Sequence, residues 1–365
     1  MGRRGFYRWA QRLATASLAG LLACALATGA SAKEATGLVP ITEMGGTLYK
    51  GQDGGLYGRD CNEAFLRLHQ VAAERESLAI EPLDPNGQPS ATGTVVLVSL
   101  GMSNTTQEFS AFKKLADADP NKSPHLVIVD CAQGGQAARQ WAYPGNERNR
   151  PSPWTVMDQR LQKAGVEPNQ VQVVWMKQAE KSPSQYGDFP AHAQVLRDNM
   201  ALILRMLKAR FPNLRVCYLS SRIYAGYATT PLNPEPYAYE SAFSVRWLIQ
   251  DQLNGDPNLN YDAARGPVQA PLASWGPYLW ADGIQPRRSD GLVWLREDLA
   301  ADGTHPSTSG RQKVAEMLLA FFKTDPNART WFLRSDPDNF PPSVPPAADP
   351  RASNQAPRRL APGAL

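Results

Sequence analysis

The chain has 365 residues, 42% of them apolar, enough for one large domain or two ordinary ones with a substantial core. Its formal charge is +4, yet Arg3, Arg4, Arg8 and Arg12 all fall in residues 1–32, which carry no acid. The rest of the chain is neutral, which argues against nucleic acid or an anionic membrane surface as the main partner.

Residues 1–32 read as an export signal. MGRRGFYR is a basic start, Leu13 to Ala27 is an apolar stretch, and Ala30-Ser31-Ala32 is a small-x-small cleavage site. Arg3-Arg4-Gly5-Phe6 resembles a twin-arginine signal, so the export machinery is an expected partner. Leu21-Leu22-Ala23-Cys24 resembles a bacterial lipobox, which would lipidate Cys24 instead. Cleavage after Ala32 is the first expectation, lipidation the second, an uncleaved anchor helix the third. The expected product is an exported protein, periplasmic, secreted or lipid-anchored. Cys61, Cys131 and Cys217 remain beyond the signal, with no zinc spacing and no disulfide framework. No metal or cofactor is expected.

Residues 33–92 read as a Gly-rich arm followed by a helix over Asn62 to Arg75, with Phe65, Leu68 and Ala72 on one face. Thr94 to Leu100 is a continuous apolar run, the signature of a strand covered on both faces. It ends in Gly101-Met102-Ser103-Asn104, and a helix is expected over Thr105 to Ala116. The alternation repeats: strand Leu126 to Cys131, helix Trp154 to Ala164, strand Val171 to Trp175, helix Ala191 to Phe211, strand Leu214 to Leu219. This argues for a doubly wound α/β sheet, in which ligands bind beyond the carboxyl ends of the strands. Residues 222–298 fit the alternation less well. Apart from a helix over Tyr239 to Leu253 they read as an aromatic-rich, irregular insertion. Its aromatic rings would fill the core of a lid or offer stacking platforms for sugars. Residues 336–365 read as a disordered Pro/Ala-rich tail.

Four histidines occur, His69, His125, His192 and His305, and only His305 has a carboxylate at a telling distance. Asp302-Gly303-Thr304-His305 is a turn leading into a helix that Ser307 or Ser309 can cap, with Val314, Leu318 and Phe321 on one face. The carboxylate can fix the imidazole tautomer and leave the other ring nitrogen to take a proton. Ser103 is the candidate nucleophile, because a strand–turn–helix setting exposes its hydroxyl at the sheet rim and aims backbone N–H groups at a developing oxyanion. Gly134-Gly135 offers a second backbone donor, since glycine permits close approach.

The order of these blocks resembles the SGNH (GDSL-like) hydrolase superfamily over residues 93–325. The blocks are Gly-x-Ser after the first strand, Gly after the second, a polar amide after the third and DGTHPSTSGRQKVAEMLL at the end. GMSN is most similar to the GQSN block of sialate and carbohydrate acetylesterases, and VVWMKQAE to their W-x-Q-G-E segment. Met102 stands where Asp or Gln is usual, and Ala179 where Gly is. The resemblance implies a flavodoxin-like three-layer α/β/α sandwich with a mostly parallel sheet, over residues 93–335. It implies metal-free deacylation with Ser103 as nucleophile, His305 as base and Asp302 as its orienter. The oxyanion donors would be Ser103 and Gly135 amides with the Gln178 side chain, Lys177 being a rival. Asn104, Arg222 and Glu235, with Glu240, are candidate substrate-binding residues. The implied activity is hydrolysis of a small-molecule or glycan ester. The competing expectations are an O-acyltransferase and a non-catalytic glycan-binding protein on the same scaffold.

Overall fold

The computed structural model describes residues 33–59, 61–145 and 151–334. The expected signal at 1–32, Cys24 and the tail at 336–365 lie outside the described residues.

Five strands form one sheet: β1 (Val95–Gly101), β2 (Leu126–Val129), β3 (Val171–Lys177), β4 (Val216–Ser220) and β5 (Leu272–Trp275). All neighbours are parallel and the order is β2-β1-β3-β4-β5. This is the doubly wound order found in flavodoxin-like sheets. Every residue of β1, β3 and β4 is buried, as their mainly apolar sequences suit. The buried polar side chains Ser99, Gln172, Lys177 and Ser220 are the exceptions to the apolar pattern. Eight helices complete the described fold: α1 (Glu63–Leu78), α2 (Ser103–Ala118), α3 (Ala138–Ala142), α4 (Pro153–Lys163), α5 (Ala191–Arg210), α6 (Tyr237–Leu253), α7 (Thr308–Thr324) and α8 (Arg329–Phe332). The chain steps one way from β1 to β2 and the other way from β2 through β5. Right-handed crossovers then put α2 on one face and the later crossover helices on the other. Accordingly α2 packs against α7, while α5 packs against α3 and α6. The result is a three-layer α/β/α sandwich. The reversal of direction leaves a crevice between the carboxyl ends of β1 and β3.

Several expectations need correction. Residues 222–298 are not merely an insertion, because they supply the fifth strand; at four residues, LASW is too short to show a period. Of their rings, Tyr224, Tyr239, Phe243, Trp280 and Trp294 are buried and fill the core, while Tyr237, Trp247 and Tyr261 are half-buried. On α1 the expected face holds at Ala72 and fails at Phe65 and Leu68. Phe65 and Leu68 are exposed, whereas His69, Ala72, Ala73 and Ser77 are buried. Helix α1 lies against β5 and α8 through its small residues, which let the backbones approach. On α7 the neighbour Phe322 is buried where Phe321 was expected, with Phe321 packed partly against the core.

The arm at 33–59 is fastened to the domain by hydrogen bonds. Asp282 accepts hydrogen bonds from the Thr36 N–H (2.7 Å), the Thr36 hydroxyl (2.6 Å) and the Gly37 N–H (2.8 Å). The buried Arg246 donates to the Asp53 carbonyl at 2.6 Å. Cys131 and Cys217 are buried free thiols in and beside the sheet.

Candidate active site

Strand β1 ends at Gly101, and a Cβ there would lie 2.3 Å from both the Lys177 carbonyl and the Thr105 hydroxyl. Only glycine lets the β1–α2 turn sit this close to β3. Helix α2 begins two residues earlier than expected, so Ser103 is its first residue and Met102 its N-cap. The Ser103 N–H therefore has no intrahelical acceptor and points along the positive end of the helix. Asp130, just past β2, accepts hydrogen bonds from Ser99, Thr106 and Ser110, each at 2.6 Å, and ties the first turns of α2 to the sheet.

The other half of the site is the loop before α7, which Ser307 caps. Gly303 adopts φ +63°, and a Cβ on it would meet the Tyr227 carbonyl at 1.8 Å. The glycine thus allows the loop to dock on residues 227–230, where the Thr229 N–H donates to the Asp302 carbonyl at 3.0 Å. His305 is held so that its Nε2 lies 2.8 Å from the Ser103 hydroxyl and its Nδ1 lies 2.5 Å from Asp302 Oδ2. Asp302 Oδ1 accepts from the Thr304 and His305 N–H groups, both at 3.0 Å. Burial works to raise the Asp302 pKa, but the hydrogen bonds from the His305 backbone and ring and from Thr304 prevail and hold it below the ordinary carboxylate value. The two halves are tied directly. Asn104, buried, donates its amide to the Thr304 carbonyl at 2.9 Å. This bond spans the Ser103–His305 junction, and Asn104, expected as a substrate-binding residue, also lines the adjoining cavity.

Ser103 and His305 open onto a cavity of about 310 Å³ lined also by Met102, Gly135, Ala137, Ala179, Glu180, Arg222, Leu232 and Asn233. Gly135 has φ +78°, and a Cβ on Gly134 would come within 3.9 Å of the Ser103 Cβ, so this loop crosses the serine closely. Ser103 and Gly135, the residues expected to supply backbone donors, both line the cavity.

The expected side-chain donors stand differently. Gln178 is buried, does not line the cavity, and neither its Oε1 nor its Nε2 has a hydrogen-bond partner. Its rival Lys177 is wholly buried in an ion pair with Glu108. Burial pushes Lys177 down to about 8 and Glu108 up, with the pair's attraction opposing both shifts. Arg222 is at the cavity. Glu235 is not: it accepts from the Ala225 N–H (3.0 Å), the Tyr239 N–H (2.9 Å) and the Trp280 indole (2.8 Å), and serves as an internal brace. Glu240 is likewise buried among His192 (2.7 Å), Tyr49 (2.5 Å) and Lys50 (2.9 Å). These corrections share a cause. A sequence shows that a polar residue follows a strand, but not which way its side chain leaves the rim.

Glu180 had no assigned role in the sequence, although it belongs to the VVWMKQAE block. It lines the cavity and accepts from Asn199 Nδ2 at 2.7 Å. Burial raises its pKa to about 7, against hydrogen bonds from Asn199 and the Arg139 backbone. Asn233 was also missed. It is buried at the cavity, with φ +63° and its Oδ1 unpartnered, and no spacing rule marks such a residue. The remaining histidines are elsewhere: His125 bonds the Gly93 carbonyl at 3.0 Å, and His69 is buried under α1.

Among the described residues no group of three or more His, Cys, Asp or Glu side chains is placed to hold a metal ion. No helix among them is long and apolar enough to cross a membrane. A nucleophile 2.8 Å from a base that a carboxylate orients is the arrangement that acyl transfer through a covalent intermediate needs. Neither a family model nor a curated protein matches the chain.

Proposed function

We propose that the protein is an exported, serine-dependent carboxylic-ester hydrolase that deacylates a carbohydrate ester. The observation that carries this reading is the unbroken relay Ser103–His305–Asp302 at a cavity mouth. The Ser103 oxygen attacks the ester carbonyl while His305 Nε2 takes its proton. Asp302 keeps Nδ1 protonated and balances the imidazolium. Negative charge on the former carbonyl oxygen is met by the N–H groups of Ser103 and Gly135 and by the α2 N-terminus. Collapse of the intermediate expels the alcohol, which takes the proton from His305. Water, deprotonated by the same nitrogen, then releases the acid and restores Ser103. Met102, Ala137, Ala179 and Leu232 give the cavity apolar walls that suit a short acyl group. The export part of the proposal rests on the sequence of residues 1–32.

The test is a screen of acetylated saccharides with the purified protein, measuring free acetate and acetyl transfer to an added oligosaccharide. Acetate release that vanishes in Ser103→Ala supports the hydrolase. Transfer without release would make the protein an acyltransferase using the same serine. Neither product, from a folded protein, would contradict the proposal.

A further inference from the structure

Arg222 follows β4 and lines the cavity that Ser103 and His305 share, yet it is only 2% exposed. Its Nε and Nη2 have no hydrogen-bond partner, and no carboxylate pairs with it among the described residues. The acids around it are committed elsewhere. Glu108 is paired with Lys177, Asp302 with His305, and Glu235 with three donors of its own. Glu180, in the same cavity, is bonded to Asn199. A buried guanidinium without an anion is costly, and its planar fork suits a carboxylate. Asn233, on the same lining, leaves its own polar atom unpartnered.

Resting on the ester-hydrolase reading, we infer that the substrate carries a carboxylate and that Arg222 binds it, so that the enzyme selects acidic esters over neutral ones. The carboxylate sits either on the alcohol, as in an acylated uronic acid, or at the far end of the acyl group.

Two matched pairs separate these sources. O-acetylated methyl glucuronoside against O-acetylated methyl glucoside places the charge on the alcohol. Methyl hydrogen succinate against methyl butyrate places it on the acyl group. In one pair the acidic ester should have kcat/KM about tenfold to hundredfold higher, as expected for a charge-assisted bond. Arg222→Met should abolish that ratio, and Arg222→Lys should keep part of it. Loss of rate on both members of a pair with the ratio unmoved would mean a structural arginine and overturn the inference. So would equal rates on acidic and neutral esters in the wild type. Calorimetry with Ser103→Ala and methyl glucuronoside, methyl glucoside, methyl hydrogen succinate and methyl butyrate reads the same selectivity without turnover. Acid binding lost in Ser103→Ala/Arg222→Met would support the anion site even if no ester were hydrolysed. If neither acid bound better than its neutral counterpart, the site would fail even with hydrolysis intact.

Discussion

Ser103 and His305 are 202 positions apart in the chain, yet the Oγ to Nε2 distance is 2.8 Å. That distance depends on residues that do no chemistry themselves. Asp302 fixes the ring by one carboxylate oxygen and its own loop by the other. Asp302→Asn should therefore lower kcat by roughly 10⁴ by favouring the wrong imidazole tautomer, while the fold survives; 4-nitrophenyl acetate turnover and circular dichroism check both halves. Asn104→Ala should cost about tenfold to hundredfold in kcat with less effect on KM, because it frees the His305 loop from α2. The same kinetics read it, and a KM effect alone would make Asn104 a substrate ligand. At this scale the sequence was informative where chemistry is local. Asp302 and His305 share a turn, and Ser103 sits in a recognisable strand–turn–helix. It was uninformative where the cavity is assembled from four strand ends. Gln178 and Glu235 were assigned to the pocket but do not line it, whereas Glu180 reaches it from the end of the VVWMKQAE block and Asn233 from a position that no spacing distinguishes.

The elements position the site through two close approaches, at Gly101 and Gly303. Gly303→Ala would combine a left-handed backbone with a Cβ 1.8 Å from the Tyr227 carbonyl. The loop must move, and a loss of about 1–3 kcal/mol in stability is expected, together with a larger loss of kcat than of melting temperature would suggest. Chemical denaturation and turnover on one preparation test this; an unchanged kcat would mean that the loop's docking does not set His305. The strands were legible because β1, β3 and β4 are covered on both faces and are mainly β-branched and apolar. Strand β5 was hidden by its length. The face of α1 was partly misread because the helix buries alanines and a histidine and leaves Phe65 and Leu68 outside, reversing the rule that larger apolar residues mark the core side.

Across the whole molecule, buried carboxyls link the fold to pH. Part of Glu235 reaches the surface, but its carboxyl is enclosed, and burial pushes it up to about 7 against its hydrogen bonds from Trp280, Ala225 and Tyr239. A raised folded pKa means that the proton is held more tightly in the fold than in the unfolded chain. Its contribution is complete below the ordinary glutamate value of about 4.3 and is lost as pH rises towards 7. Glu235→Gln should flatten the fall in melting temperature between those two pH values, even if it lowers stability at acid pH; an unaltered slope would place the linkage elsewhere. The five-stranded sheet presents the β1–α2 turn, the bond from Asn104 ties the loop before α7 to it, and the bond from Thr229 docks that loop on residues 227–230. The central claim is that this frame activates Ser103. Treating the folded protein with a fluorophosphonate, then mapping the adduct by peptide mass, tests it most directly. One phosphonylated residue per chain is expected, at Ser103, with labelling strongly slowed in His305→Ala. No adduct on a folded wild-type protein, or an adduct on another residue, would contradict it.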